Sequence, residues 1–338
     1  MLSEPSAPRT PSATTPVRPR RALSAVAAAA LALVLAACGS TGSDSASSDD
    51  SGKAATRVVA TANGKVTVPA HPLRIVSVHS WSTETLLDLG VKPVGMENSG
   101  ETYVPPRYLK AWKATPKVAS GAELDYEKIA ELRPDLIVGV DVPYLSKAYK
   151  KLSAIAPTAF APFSETAGWT AYPDATARFV NRTTQMAALK KKYEDRIAAV
   201  RKADGAELAA SHWDVIQGGF DNGNYWIYST ASPVGTILSQ LGAGFASATT
   251  SVAKGSTKSV SYERADLLKD ADHVIYYTNN DGSPANNIQK LFALQAFKEL
   301  PAAKKKQVAG TADFLPGSYE DALGVIDSVH KALNGQTG

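Results

Sequence analysis

The stretch from Asp174 to Ala203 constrains this chain most. Its apolar residues Phe179, Val180, Met186, Leu189, Tyr193, Ile197 and Val200 recur at steps of three and four, which keeps them on one helical face. Pro173 and Asp174 suit a helix start, Gly205 suits its end, and no glycine or proline interrupts the run. At 1.5 Å per residue the spacing predicts a helix roughly 45 Å long, enough to cross a whole domain. Two similar patterns flank it. Tyr126-Glu127-Lys128, Leu132 and Asp135-Leu136-Ile137-Val138 lie upstream; Tyr262-Glu263-Arg264, Leu268 and Asp272-His273-Val274-Ile275 lie downstream. Each reads as a short helix followed by a buried strand. The expectation is two α/β lobes joined by one spine, with a single residue inserted in the second copy.

Residues 1–37 stand apart from the fold. Arg18, Arg20 and Arg21 precede an apolar run from Ala22 to Ala37, the form of an export signal and short for a membrane span. Leu35-Ala36-Ala37-Cys38 looks like a bacterial lipobox, which implies cleavage before Cys38 and lipid on its sulfur. Arg20-Arg21 leaves a twin-arginine export route open beside the general one. Residues 38–55 are small and polar and read as a flexible tether. Cys38 is the only cysteine, so no disulfide framework is possible. The net charge of +4 over 338 residues gives no basic stripe of the kind nucleic acid requires.

The remaining chain divides into an amino-terminal lobe, 56–172, the bridging helix, 173–204, and a carboxy-terminal lobe, 205–338. In the first lobe, Asn63-Gly64 predicts a hairpin, and Arg74–Val78, Val91–Met96, Asp135–Val140 and Thr158–Ala161 read as strands. Ser82 is the expected cap of a helix closed by Gly90, and Asp125 of the helix to Leu132. In the second lobe, strands are expected at Trp213–Gln217, Asn224–Tyr228, His273–Thr278 and Gln307–Gly310. Helices are expected at Ser232–Leu241, Tyr262–Leu268, Ile288–Leu300 and Tyr319–Leu333, and 248–261 reads as polar loop.

In such lobes ligands meet the loops at strand carboxyl ends. Those loops carry Trp81, Tyr103, Arg107, Trp169, Tyr276, Tyr277, Asn279 and Phe314, and the 224–228 strand adds Trp226 and Tyr228 on one face. Arg107 and Arg178 are the candidate cations. The five histidines are scattered without a metal-ligand spacing. Ser77, Ser80 and Ser82 lie near His79, but no Gly-x-Ser-x-Gly elbow or glycine-rich phosphate loop is present.

With the lipobox, Pro72–Val78, Glu84–Gly90, Leu124–Val138, the spine and Val260–Arg264 in this order, the chain resembles the substrate-binding lipoproteins of siderophore, haem and cobalamin uptake ABC transporters, class III periplasmic binding proteins. The resemblance covers roughly residues 56–334. It implies a ligand held between two Rossmann-like lobes joined by the long helix. It also implies an ABC permease as partner, docked through one exposed glutamate per lobe, here Glu127 and Glu263, and a monomeric receptor lipid-anchored on the extracellular face. The cargo would be a ferric siderophore, with its iron inside the chelate and no resident cofactor or metal. The scarcity of arginine leans towards hydroxamates such as ferrioxamine. Haem, with His79 as candidate ligand, and cobalamin remain alternatives, as do an exported hydrolase and a surface protein that binds another protein.

Overall fold

The computed structural model describes residues 55–120, 122–163, 168–220 and 223–336. The expected signal segment and Cys38 lie outside these residues, as does all of the tether except Ala55. Among the described residues no helix is long and apolar enough to cross a membrane.

The amino-terminal lobe is built on a four-stranded parallel sheet ordered Gly95–Met96, Ile75–Ser77, Leu136–Val140, Thr158–Ala161. Leu136–Val140 is buried along its whole length, as a central parallel strand covered on both faces must be. A hairpin, Thr56–Thr61 with Gly64–Pro69, pairs Thr61 with Gly64, whose φ of 97° is readily available only to glycine. The carboxy-terminal lobe carries a six-stranded mixed sheet. Its path runs Thr257–Ser261, Asn224–Tyr228, His212–Gly218, His273–Tyr277, Val308–Thr311, and Gly244–Phe245 pairs with His212–Gly218.

The expected single spine is two helices. Ala171–Phe179 ends at Val180, and Asn181 takes φ 56°. The Asn181 N–H bonds the Arg178 carbonyl and the Arg182 N–H bonds that of Ala177, a Schellman closure with asparagine where glycine is usual. The long helix is Thr183–Ala210, 28 residues and thus about 42 Å. It runs through Gly205 and ends where Ser211 becomes extended. Met186, Tyr193, Val200 and Leu208 form its buried seam. Lys192–Glu320 at 2.6 Å and Arg196–Asp327 at 2.8 Å tie it to the helix Tyr319–Leu333.

Other differences are local. His79, and not Ser82, caps the helix Ser80–Asp88, its Nδ1 accepting from the Trp81 N–H at 3.2 Å, while Ser82 is buried inside. The Val91–Met96 strand shrinks to Gly95–Met96. Ile288–Leu300 breaks into Gln289–Ala293 and Gln295–Lys298, and Tyr262–Leu268 is a 3-10 element. The polar 248–261 stretch contains Thr257–Ser261, which closes the sheet edge against Asn224–Tyr228. Edge strands exposed on one face need no apolar run, so polarity hid it.

One hydrophobic cluster runs through both lobes, from Ile75 and Phe160 through Trp169 and Tyr193 to Ile275 and Ile326. At the seam the Thr85 hydroxyl donates to the Gly317 carbonyl at 2.9 Å. A Cβ on Gly317 would lie 2.4 Å from the Trp81 Cα and 2.6 Å from Glu84 Oε2. Gly317→Ala should therefore destabilise the fold by about 1–3 kcal/mol, the usual cost of overpacking. Thermal unfolding reads this as a lowered midpoint, and an unchanged midpoint would show that the seam is slack.

Candidate ligand cleft between the lobes

The loops that leave the strand carboxyl ends of both lobes meet along the seam and enclose two cavities that share Trp81 and Leu315. The larger, about 420 Å³, is bounded by Phe163, Trp169 and Tyr172 on one side and by Tyr228, the 229–233 turn and the 255–257 loop on the other. The smaller, about 280 Å³, lies between Glu84, Ser99 and Tyr103 and the opposing Gln217, Tyr277, Asp313 and Asp321. Trp81 is the partition. The His79 cap places it at the first turn of its helix, where it stacks on Tyr172 with ring centres 4.8 Å apart and planes 9° from parallel. Flat offset stacking of this kind presents a broad aromatic wall at little entropic cost.

Five of the anticipated side chains line these cavities: Trp81, Tyr103, Trp169, Tyr228 and Tyr277. Tyr103 donates to Asn286 Oδ1 at 3.0 Å across the seam, and Tyr228 donates to Gln217 Oε1 at 2.6 Å. Trp169 is buried edge-on against Tyr193 and Tyr319, which links the cavity floor to the long helix.

The other five stand elsewhere. Tyr276 is on the opposite face of its strand, against Phe292 at 4.8 Å, because neighbouring strand residues cannot both face the cleft. Phe314 is 1% exposed and packs behind Tyr228 and Tyr277. Trp226 lies outside both cavities, edge-on to Phe220 at 5.2 Å. Asn279 donates to Ser283 Oγ within its own turn; its neighbour Asn280 crosses the seam instead, to the Glu101 carbonyl at 2.7 Å. Arg107 is bound to Asp313 at 2.6 Å and to Asp321, so it ties the seam together, and it lines neither cavity. Arg178 is exposed and borders neither cavity.

Several cleft residues escaped notice. Glu84 is one helical turn beyond Trp81, a spacing that places both on one face. Phe220, 68% exposed, also lines the smaller cavity.

The seam is acidic and largely dry. Burial, then the neighbouring Asp321 carboxylate, holds the Glu84 carboxyl well above the usual range. Burial raises Asp88 to about 7, with Asp321 adding to it, and Glu97 to about 7. Asp313 is raised to about 6 by burial against the opposing pull of Arg107. Tyr108 joins the group, donating to Asp88 at 2.8 Å. Burial lowers His79 to about 4, so its imidazole is neutral, as its capping role requires. Ser77 donates to the His79 carbonyl and accepts from Thr83, so its hydroxyl is not paired with the His79 ring.

Residues 75–313, which run from the first strand of the amino-terminal sheet to the seam, match the family model described as periplasmic binding protein. The chain belongs to that family. The probable siderophore-binding lipoprotein YfiY of Bacillus subtilis is 35% identical over 199 residues, 58% of this chain and 60% of that protein. The iron(3+)-hydroxamate-binding protein YxeB of the same organism is 27% identical over 78% of this chain and 80% of its own length. Among solved structures, the siderophore periplasmic binding protein from the fuscachelin gene cluster of Thermobifida fusca superposes with a TM-score of 0.71 at 28% identity, covering 79% of this chain and 98% of that one. The architecture is that of class III periplasmic binding proteins: two α/β lobes, a long connecting helix and a cleft between.

The raised carboxyls make stability depend on pH. Folding lifts Asp88, Glu97 and Asp313 from the ordinary range near 4 to about 6–7. The folded state thus binds protons more tightly than the unfolded chain, and this contribution is present below about pH 4 and lost as pH rises through 6–7. The thermal midpoint should be higher at pH 5 than at pH 8, and Glu97→Gln should flatten the slope. A midpoint that rises with pH over this window would contradict the assignment.

Proposed function

We propose that this protein is the receptor of an ABC importer for ferric siderophores of the hydroxamate class. In this reading it is tethered through lipid on Cys38 to the outer face of the membrane, carries its iron only inside the bound chelate, and acts as a binding protein and not as an enzyme. The observation that carries the ligand class is the lining of the cleft. Aromatic rings wall both cavities, and among the described residues neither cavity is lined by a lysine or arginine. An anionic catecholate or citrate complex needs cationic partners to offset its desolvation. A neutral or cationic trihydroxamate needs aromatic walls and a few polar groups, which are present. The relative named for siderophore binding supports a siderophore cargo, and the one named for iron-hydroxamate binding supports the class.

Delivery requires a second surface. Glu127 and Glu263 are both exposed in the first turn of short helices whose caps, Asp125 and Ser261, accept from N–H groups of that turn. Neither carboxylate forms an ion pair among the described residues, which leaves both available for permease arginines, in line with the reading that one glutamate per lobe docks the transporter.

Titrating the mature protein with ferrioxamine, a ferric catecholate, haem and cobalamin, followed by tryptophan fluorescence, tests the reading. Ferrioxamine should quench saturably at micromolar or lower concentration. Trp81→Ala should weaken it at least about tenfold, whereas Glu127→Ala/Glu263→Ala should retain affinity and lose uptake in cells. Saturable quenching by haem or cobalamin alone would replace the ligand, and tight binding of the catecholate alone would overturn the hydroxamate assignment.

A further inference from the structure

We propose that Gln217 is a specificity-determining residue of the smaller cavity: its side-chain N–H donates to a neutral amide carbonyl in a linker of the ferric chelate. This rests on the receptor reading above and deepens it from a chelate class to a feature of the chelate's linker.

Gln217 belongs to the strand His212–Gly218, whose alternation puts Trp213, Val215 and Gln217 on one face. Trp213 and Val215 enter the core shared by both lobes, while Ile216 turns to a separate cluster. Gln217 comes last on the inward face, where the strand reaches the cleft; it is 2% exposed and lines the smaller cavity. In the neighbouring strand Tyr276 pairs with Ile216, which brings Tyr277, one residue on, to the same cavity.

The carboxamide is held one way round. Tyr228 donates to Oε1 at 2.6 Å, and a phenol has one proton to give, so the amide nitrogen is the end left over. Among the described residues Nε2 has no partner and is not closed off from water. Asn286 gives the contrast. Tyr103 holds its Oδ1 in the same manner, but its Nδ2 is closed off, so it offers the cavity no donor. Buried side-chain N–H groups are normally hydrogen-bonded, and the one on Gln217 can be met only from the cavity.

The cavity decides which acceptor fits. Carboxyl-bearing residues line it and, among the described residues, no lysine or arginine does, so an anionic oxygen would be buried there without a cation. A carbonyl oxygen carries no charge and asks only for N–H or O–H donors. In a trihydroxamate joined by amide linkers the hydroxamate oxygens are committed to iron, and the linker carbonyls are the free acceptors. The division of space agrees: the 420 Å³ chamber takes the iron-bearing part and the 280 Å³ chamber a linker that passes Trp81. A linker carbonyl satisfies the Gln217 N–H, whereas a methylene in its place leaves that N–H unpaired in a buried site.

The decisive comparison titrates two chelates by tryptophan fluorescence: ferrioxamine B, and an analogue of equal length in which methylenes replace the linker amides. The amide form should bind about tenfold tighter, as one buried hydrogen bond allows. Gln217→Met, similar in size and without a donor, should erase the preference by weakening the amide form alone. Tyr228→Phe, which frees the carboxamide to turn over, should reduce it. Equal or reversed affinities in the unmodified protein, or a preference that survives Gln217→Met, would overturn the proposal and leave the receptor reading standing. A preference untouched by Tyr228→Phe would overturn the positioning role of that phenol. Binding of neither chelate by the unmodified protein would overturn the receptor reading as well. The comparison on the unmodified protein needs no variant to fold.

Discussion

Gly317 has no side chain, and that absence sets how near the two lobes stand. A Cβ at this position would run into the backbone of Trp81 and into Glu84, while its carbonyl takes the Thr85 hydroxyl. Everything at the cleft follows from this approach. The helix that starts at His79 is pressed onto the 312–318 loop, so Trp81 becomes a partition between two chambers instead of an exposed ring. Arg107 comes within reach of Asp313 and Asp321, and Tyr103 within reach of Asn286. The long helix and the shared core then hold that spacing from behind, through Trp169, Tyr193 and Tyr319.

A cleft made this way is dry where the lobes touch and aromatic where they part. Burial strengthens each remaining electrostatic term. That is why Glu84, Asp88, Glu97 and Asp313 are raised above the ordinary carboxyl range, and why the one guanidinium among them is fixed. In the proposed reading the same acidity would favour a positive or neutral complex, which meets rings and acceptor oxygens, over an anion, which gains no cation there. Stability and selectivity draw on the same buried groups.

Much of the frame was legible because it rests on periodicity and local capping. Leu136–Val140, His273–Tyr277, Tyr319–Leu333 and the Asp125 and Ser232 caps all follow from short-range patterns. The spine was misread at Asn181 because its break keeps the apolar rhythm and uses asparagine in the left-handed conformation. Five of the ten anticipated residues line the two cavities. Tyr276 and Tyr277 are adjacent in sequence, and only the register of the sheet says which one lines the cavity. Arg107 reads as a free cation until its carboxylate partners, more than 200 residues away, are brought to it. Glu84 stands out only as the start of a family-like segment, because nothing local announces that it will meet Gly317. The placements of Arg107 and Glu84 depend on contacts between lobes, which no window along the chain contains.

The central claim is that the seam around Trp81 receives a ferric trihydroxamate. A crystal structure of the protein with ferrioxamine B bound tests it most directly, because anomalous scattering locates the iron without ambiguity. The account predicts iron in the larger chamber, with the chelate against Trp81 and Tyr228. Iron located away from the seam, or a chelate held by Trp226 and Tyr276 in place of Trp81 and Tyr228, would contradict it.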